Sequence, residues 1–112
     1  MAVKHRNHLG IMSSSAITFT QGLTEIVDFT TTASMATGGN LALTQLTNGS
    51  YALYAGDATG DGNILNTDIS NAINASGGID IYSGADANMD GNILNTDIQL
   101  IIQPNAGRIQ QF

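Results

Sequence analysis

Apolar and polar residues alternate through much of the first half of the chain, and this alternation is typical of short β-strands. Four segments show it and are rich in β-branched and aromatic residues, namely residues 16–20, 25–30, 41–46 and 51–54. Serine, glycine and asparagine residues between them indicate turns. Because so few strands form at most one sheet of a sandwich, we expect residues 1–55 to be a small antiparallel β-sandwich-like fragment. It is either truncated from a larger sandwich or supported by the second half of the chain.

The second half is built on an internal repeat. The nine residues Asp-Gly-Asn-Ile-Leu-Asn-Thr-Asp-Ile at 61–69 recur unchanged at 90–98, and the Asp-Ala pair at 57–58 recurs at 86–87. After each copy the apolar residues adopt helical spacing, at Ile69, Ala72 and Ile73 and again at Ile98, Ile101 and Ile102. The sequence therefore predicts two loops that each open a short helix, the first ended by Gly77 and the second by Pro104.

Each repeat begins with a twelve-residue stretch that places oxygen-bearing residues where an EF-hand loop has its calcium ligands. Those ligands stand at positions 1, 3, 5, 7, 9 and 12, around a glycine at position 6. In residues 57–68 and 86–97 the glycines are Gly62 and Gly91, and the leucine at position 9 leaves that place to water. The predicted ligands of two Ca²⁺ ions are Asp57, Thr59, Asp61, the carbonyl of Asn63 and Asp68 in the first loop, and Asp86, Asn88, Asp90, the carbonyl of Asn92 and Asp97 in the second.

Zinc, magnesium and a turn without metal are the alternatives to calcium in these loops. Zinc favours nitrogen and sulfur ligands, and neither loop contains histidine or cysteine. Magnesium tolerates a flexible oxygen cage less well than calcium does. Asp, Asn and Gly also form turns without any metal, but two near-identical loops in tandem favour calcium. Thr59 replaces the asparagine found at Asn88, so we expect the first site to be the weaker one.

Composition and charge narrow the range of partners. The net charge is −6, and the chain has three basic residues among its 112, which disfavours nucleic acid and anionic membranes as partners. No apolar run approaches the roughly 20 residues of a membrane-spanning helix, so membrane insertion is not expected. Six of the nine acidic residues fall inside the two loops, a concentration that suits metal binding better than a solvated acidic surface.

Catalysis is not expected. Every clustered aspartate is already assigned to a loop, and the serines lie in turns without a base partner. His5 and His8 are three positions apart on a presumed strand, where their side chains would point to opposite faces and would not share a metal ion.

The loops differ from the standard EF-hand in two respects. Position 12 is aspartate rather than glutamate, and the residues before the first loop alternate like a strand instead of forming an entering helix. In these features residues 55–105 resemble the dockerin family. We therefore expect an α+β fold in which the β-sandwich-like fragment of residues 1–55 is followed by two dockerin-like calcium-loop–helix repeats in residues 56–112. The resemblance implies attachment to a cohesin-like partner through the exiting helices and loop positions 10 and 11, and those positions hold Asn66, Thr67, Asn95 and Thr96. Alternatively, Thr67 and Thr96 are simply helix N-caps.

The chain as a whole also resembles the C-terminal end of large secreted bacterial surface proteins. In those proteins a β-sandwich end containing a stretch like His-Arg-Asn-His-Leu at residues 5–9 runs directly into such loops. This resemblance implies an extracellular or cell-surface location, with the secretion signal outside this chain. It also implies a second role, as a calcium-stabilised cap on a neighbouring β domain of the parent protein. No Pro/Ser/Thr-rich linker precedes Asp57, which favours that role.

Overall fold

The computed structural model describes residues 1–112, and its first element is a β-hairpin. Strand β1 (Ala2–His5) pairs antiparallel with β2 (His8–Met12), leaving Arg6 and Asn7 as the two-residue connection. A second antiparallel pair joins β3 (Leu43–Gln45) to β4 (Tyr51–Leu53). The backbone N–H of Leu9 donates to the Tyr54 carbonyl at 2.9 Å, which connects the hairpin to the chain just after β4.

Two of the four predicted strands are wrong. Residues 16–20 and 25–30 form no strand, and Phe19 and Ile26 are exposed there. An extended segment becomes a strand only when a neighbour accepts and donates its backbone hydrogen bonds. Short 3₁₀ turns at Ala33–Met35 and Gly39–Leu41 fill the stretch before β3 instead of another strand.

The helical content also differs from the prediction. The first loop opens a regular helix, α1 (Asn66–Ala75), whereas the second is followed by a single turn, α2 (Asn95–Asp97), a π-helical stretch (Ile98–Ile102) and a last turn, α3 (Gln103–Asn105). In the π stretch the N–H of Gln103 donates to the carbonyl of Ile98. Pro104 has no N–H to give to Leu100, and its ring would clash with that carbonyl in an α-helix. The wider turn avoids the clash, so Pro104 deforms the helical segment from within its last turn instead of ending it.

The predicted fold class is therefore wrong. The two sheets have two strands each, too few to form the layers of a sandwich. A regular helix follows only one of the two loops, so there are no two equivalent calcium-loop–helix repeats.

The main hydrophobic core contains residues from both sides of residue 55. Leu9 of β2 and Tyr54 pack with Ile64 and Ile93 from the two loops and with Ile102 from the π stretch. Ala72, Ala85, Ala87 and Ile98 complete this cluster, which we call the shared core. A smaller cluster of Ile11, Ala36, Ala42 and Leu43 lies within the first half. The loops are thus placed directly against the first half of the chain.

Candidate metal centres

The first loop is organised around the buried carboxylate of Asp57. Its Oδ1 accepts hydrogen bonds from the N–H groups of Gly60 at 2.8 Å and Asp61 at 3.1 Å, and its Oδ2 accepts from Gly62 at 3.0 Å. Gly62 has φ of +86°, a value that glycine adopts without the steric cost of a Cβ. The chain therefore turns tightly around the carboxylate of loop position 1.

Asp68, at the other end of this loop, is fully buried and holds the loop closed. Its Oδ2 accepts from the N–H of Leu65 at 2.7 Å, and its Oδ1 accepts from both the N–H and the hydroxyl of Thr59 at 3.0 Å. Leu65 is the residue just before α1, so the same carboxylate satisfies a free donor at the helix start.

The second loop repeats this arrangement. Oδ2 of Asp86 accepts from the Gly91 N–H at 2.9 Å, as Asp57 does from Gly62. Asp97 accepts from the Leu94 N–H at 2.9 Å through Oδ2, and from the N–H groups of Ala87 and Asn88 through Oδ1. The repeat in the sequence is thus also a repeat in the hydrogen bonding of its carboxylates, although the helices that follow differ.

The centre of each loop pairs with the segment that follows the opposite helical stretch. Ile64 donates to the Arg108 carbonyl at 2.8 Å and accepts from Gly107 at 2.7 Å. Ile93 likewise donates to the carbonyl of Gly78 at 2.9 Å and accepts from Gly77 at 2.8 Å. This reciprocal exchange brings both loops together, with Ile64 and Ile93 fully buried in the shared core.

The structure brings only some of the predicted ligands into the interior. Asp57, Asp68, Asp86 and Asp97 are buried, Asn63 and Asn92 are half-buried, and Thr59, Asp61, Asn88 and Asp90 are exposed. Oδ1 of Asp61 accepts from the N–H of Asn63 at 2.9 Å, and Asp90 does the same with Asn92 at 2.8 Å. No group of three or more histidine, cysteine or acidic side chains is arranged to hold a metal ion.

The loops nevertheless hold more buried negative charge than positive charge, which suits a bound cation. Burial raises the pKa of Asp57, the backbone N–H groups oppose that rise, and the charge of Asp68 adds to it. The one ion pair in the chain joins Arg6 to Asp86, with nitrogen and oxygen 3.7 Å apart. Buried carboxylates without a counter-ion are costly, and donors that are all oxygen suit a hard cation such as Ca²⁺. By its chemistry the donor set of each loop therefore fits calcium.

The four predicted partner-binding residues lie on the surface. Asn66, Thr67, Asn95 and Thr96 are all exposed, in the first turns of α1 and α2. The N-cap positions are held by Leu65 and Leu94. The alternative prediction, that Thr67 and Thr96 are N-caps, is therefore wrong, because the aspartate at position 12 supplies the capping acceptor one residue later in the sequence.

Two residues that the sequence did not mark as functional fasten the second loop to the hairpin. Asn7 is fully buried, and its Nδ2 donates to the backbone carbonyl of Asp86 at 2.6 Å. Arg6 pairs with the carboxylate of the same residue and stacks over Tyr82, with 3.9 Å from Cζ to the ring centroid. The only available signal was local: two polar residues between alternating segments form a hairpin turn, and a buried turn needs partners for its polar groups.

His5 and His8 were also placed wrongly, since the strand predicted to contain both is interrupted by the hairpin turn. They face each other across β1 and β2, with ring centroids 4.7 Å apart and planes at 82°. Burial lowers the pKa of His8, and the neighbouring charge of His5 lowers it further.

Comparison with known proteins adds no family to this picture. No protein-family model, curated protein or solved structure matches the chain. None of the helices is long and apolar enough to cross a membrane. The function is therefore inferred from the loops and their contacts alone.

Proposed function

We propose that this chain is a non-catalytic calcium-binding module of an extracellular or cell-surface protein. In this proposal two Ca²⁺ ions hold the loops against the first half of the chain. The ions thereby stabilise the chain as a cap on a neighbouring β domain of the parent protein. The observation that carries it is the set of four buried carboxylates, one at each end of each loop, placed around the shared core, of which only Asp86 has an ion-pair partner.

Calcium would supply the missing positive charge at these carboxylates. In the first loop Asp57, Asp61 and Asp68 would hold the ion with Thr59 and the Asn63 carbonyl. In the second, Asp86, Asp90 and Asp97 would do so with Asn88 and the Asn92 carbonyl. Two ions would offset four of the six net negative charges of the chain. Because each loop is also a wall of the shared core, the ions would stabilise packing beyond the loops themselves.

Contacts across residue 55 favour the role of a cap over that of an independent module. Asn7 bonds to the Asp86 carbonyl, and Nδ2 of Asn105 donates to the carbonyl of Ala55 at 2.8 Å. The N–H of Gly56 donates to the carbonyl of Asn7 at 2.8 Å. Residues that stand immediately before the first loop are thus held by both ends of the chain, which leaves no flexible linker there.

Amide hydrogen exchange, measured with and without calcium, tests this role. We expect calcium to protect the amides at the junction of the two halves, those of Leu9 and Gly56, together with loop amides such as Gly62. The amide of Gly49, which bonds to Leu46 in the β3–β4 turn, is the matched control and should change little. Protection confined to the loops would contradict the cap, and no protection anywhere would contradict calcium binding.

A second candidate function is attachment to a cohesin-like partner. The exposure of the four residues at loop positions 10 and 11 favours it, because both copies present the same Asn-Thr pair to solvent. Titration of the calcium-loaded chain with a panel of cohesins would measure binding. A real interface should lose affinity in a Thr67→Ala, Thr96→Ala double variant and keep it in Thr47→Ala, an exposed change of the same kind in the β3–β4 turn. Failure of every cohesin to bind would leave the cap as the sole role.

A further inference from the structure

Three donor atoms meet at the tip of the first hairpin. Nδ1 of His5 lies 3.0 Å from Nδ1 of His8, and the two nitrogens lie 2.9 and 2.7 Å from Oδ1 of Asn7. The three atoms therefore form a nearly equilateral triangle. We call these three side chains the hairpin triad.

The orientation of the Asn7 side-chain amide is fixed by a hydrogen bond to the second loop. Its Nδ2 donates to the carbonyl of Asp86 at 2.6 Å, and a carbonyl can only accept a hydrogen bond. The amide oxygen is consequently turned toward the two imidazoles. Because Asn7 is fully buried, its oxygen has few other partners available, and this kind of outer hydrogen bond is how proteins orient a metal ligand.

We propose that the hairpin triad is a binding site for a divalent transition-metal ion, with Cu²⁺ as the tightest-binding candidate. An ion about 2.0–2.1 Å from each nitrogen would touch all three atoms from one side of the triangle. Its remaining coordination positions would stay open. Imidazole suits copper, nickel and zinc, and among these the intrinsic affinity of nitrogen and oxygen sites is highest for copper.

The surroundings leave space for such an ion. A shallow, open surface depression of about 240 Å³ is lined by His5, His8, Ala52, Leu53 and Met89. Met89 has φ of +63°, where the equivalent position of the first loop is Gly60 at +75°. A left-handed conformation costs a non-glycine residue roughly 1–2 kcal/mol. Met89 thus lines the same depression as the two imidazoles, and a thioether serves as a weak axial ligand in some copper sites.

This site is chemically distinct from the calcium loops. Its donors are two nitrogens and one amide oxygen, whereas those of the loops are oxygens only. Both histidines of the chain belong to it, so any signal from a metal-bound imidazole reports the hairpin triad alone.

Titration of the full chain with Cu²⁺ and, separately, Zn²⁺ tests the proposal. Excess Ca²⁺ is included to keep these ions from the loop carboxylates. We expect one Cu²⁺ per chain, and an electron paramagnetic resonance spectrum that shows coupling to two imidazole nitrogens. His5→Ala and His8→Ala should each weaken binding by at least about tenfold. Lys4→Ala, an exposed change in the same strand, is the matched control and should bind as the unaltered chain does.

Comparing the two histidine variants distinguishes the loss of a metal ligand from the loss of the folded structure. His5 is exposed, so His5→Ala should keep the circular-dichroism spectrum even if His8→Ala does not. Unchanged affinity in a folded His5→Ala variant would overturn the proposal. Coupling to one imidazole or none would overturn it as well, whatever the calcium loops do.

Discussion

Truncation of Leu9 to alanine tests whether the two halves of the chain share one hydrophobic core or fold independently. Leu9 lies in β2, far from the loops in sequence, yet it is 1% exposed and packs in the shared core. Leu→Ala changes at such sites cost about 2–5 kcal/mol, from lost burial and the cavity left behind. Against a typical stability of about 5–15 kcal/mol for a whole domain, Leu9→Ala should remove a large part of the free energy of unfolding.

The same change should weaken calcium binding, although Leu9 touches no ligand. If the loops are competent only when the shared core is formed, the apparent affinity falls with the competent fraction. Once the calcium-free variant is mostly unfolded, every further 1.4 kcal/mol of lost stability lowers the overall binding constant about tenfold. An independent loop module would bind calcium as before.

Urea unfolding gives the stability change, and calorimetric titration with Ca²⁺ gives the affinity. Leu46→Ala is the control, because it removes the same side chain from the first half at a position that is 46% exposed. It should cost far less and leave calcium affinity unchanged. An unaltered calcium isotherm in Leu9→Ala, despite a clear loss of stability, would refute the shared-core reasoning.

Three further changes probe the loops and the hairpin. Asp97→Asn removes a buried carboxylate with little change of shape, and should reduce the calcium count from two to one; a retained second ion would contradict its assignment as a ligand. Thr59→Asn copies Asn88 into the first loop and frees an oxygen of Asp68 from the threonine hydroxyl, so calorimetry should show a tighter first site; a weaker one would contradict the predicted role of position 3. The pKa of His8 is lowered from 6.5 by burial, so its contribution to stability is present above that pH and is lost as pH falls through the lowered value. Urea unfolding between pH 8 and pH 5, without added metal, should therefore show a stability loss that His8→Gln diminishes, and an equal loss in both proteins would contradict this cause.

The parts of the site that the sequence predicted are those set by local chemistry. The glycine at position 6 of each loop allows the tight turn that the EF-hand pattern predicts there, with φ near +86° at both Gly62 and Gly91. The aspartates of positions 1 and 12 are buried as a pair in both copies. Identical short sequences with strong turn preferences adopt the same hydrogen-bonded loops, so the repeated residues were enough to predict two similar loops.

The features of the fold and site that the sequence did not predict depend on contacts between residues distant in sequence. Residues 16–20 have the composition of a strand, but strand pairing needs a partner, which composition does not reveal. The second helical segment has the same starting sequence as the first, yet a π-helical stretch forms there because Pro104 cannot follow a regular α-helical turn. His5 and His8 lie on two strands instead of one, because Arg6 and Asn7 between them form a turn that no glycine indicates. Asn7, which organises that turn against Asp86, is polar and gave no sign of its burial.

The number of calcium ions bound per folded chain tests the central claim most directly. Equilibrium dialysis of the full chain against Ca²⁺, in parallel with thermal unfolding of the same samples, supplies the count and its effect on stability. We expect two ions per chain and an unfolding temperature that rises with calcium concentration and falls again on addition of a chelator. A count of zero, or binding that leaves the unfolding temperature unchanged, would contradict the proposed calcium-stabilised cap.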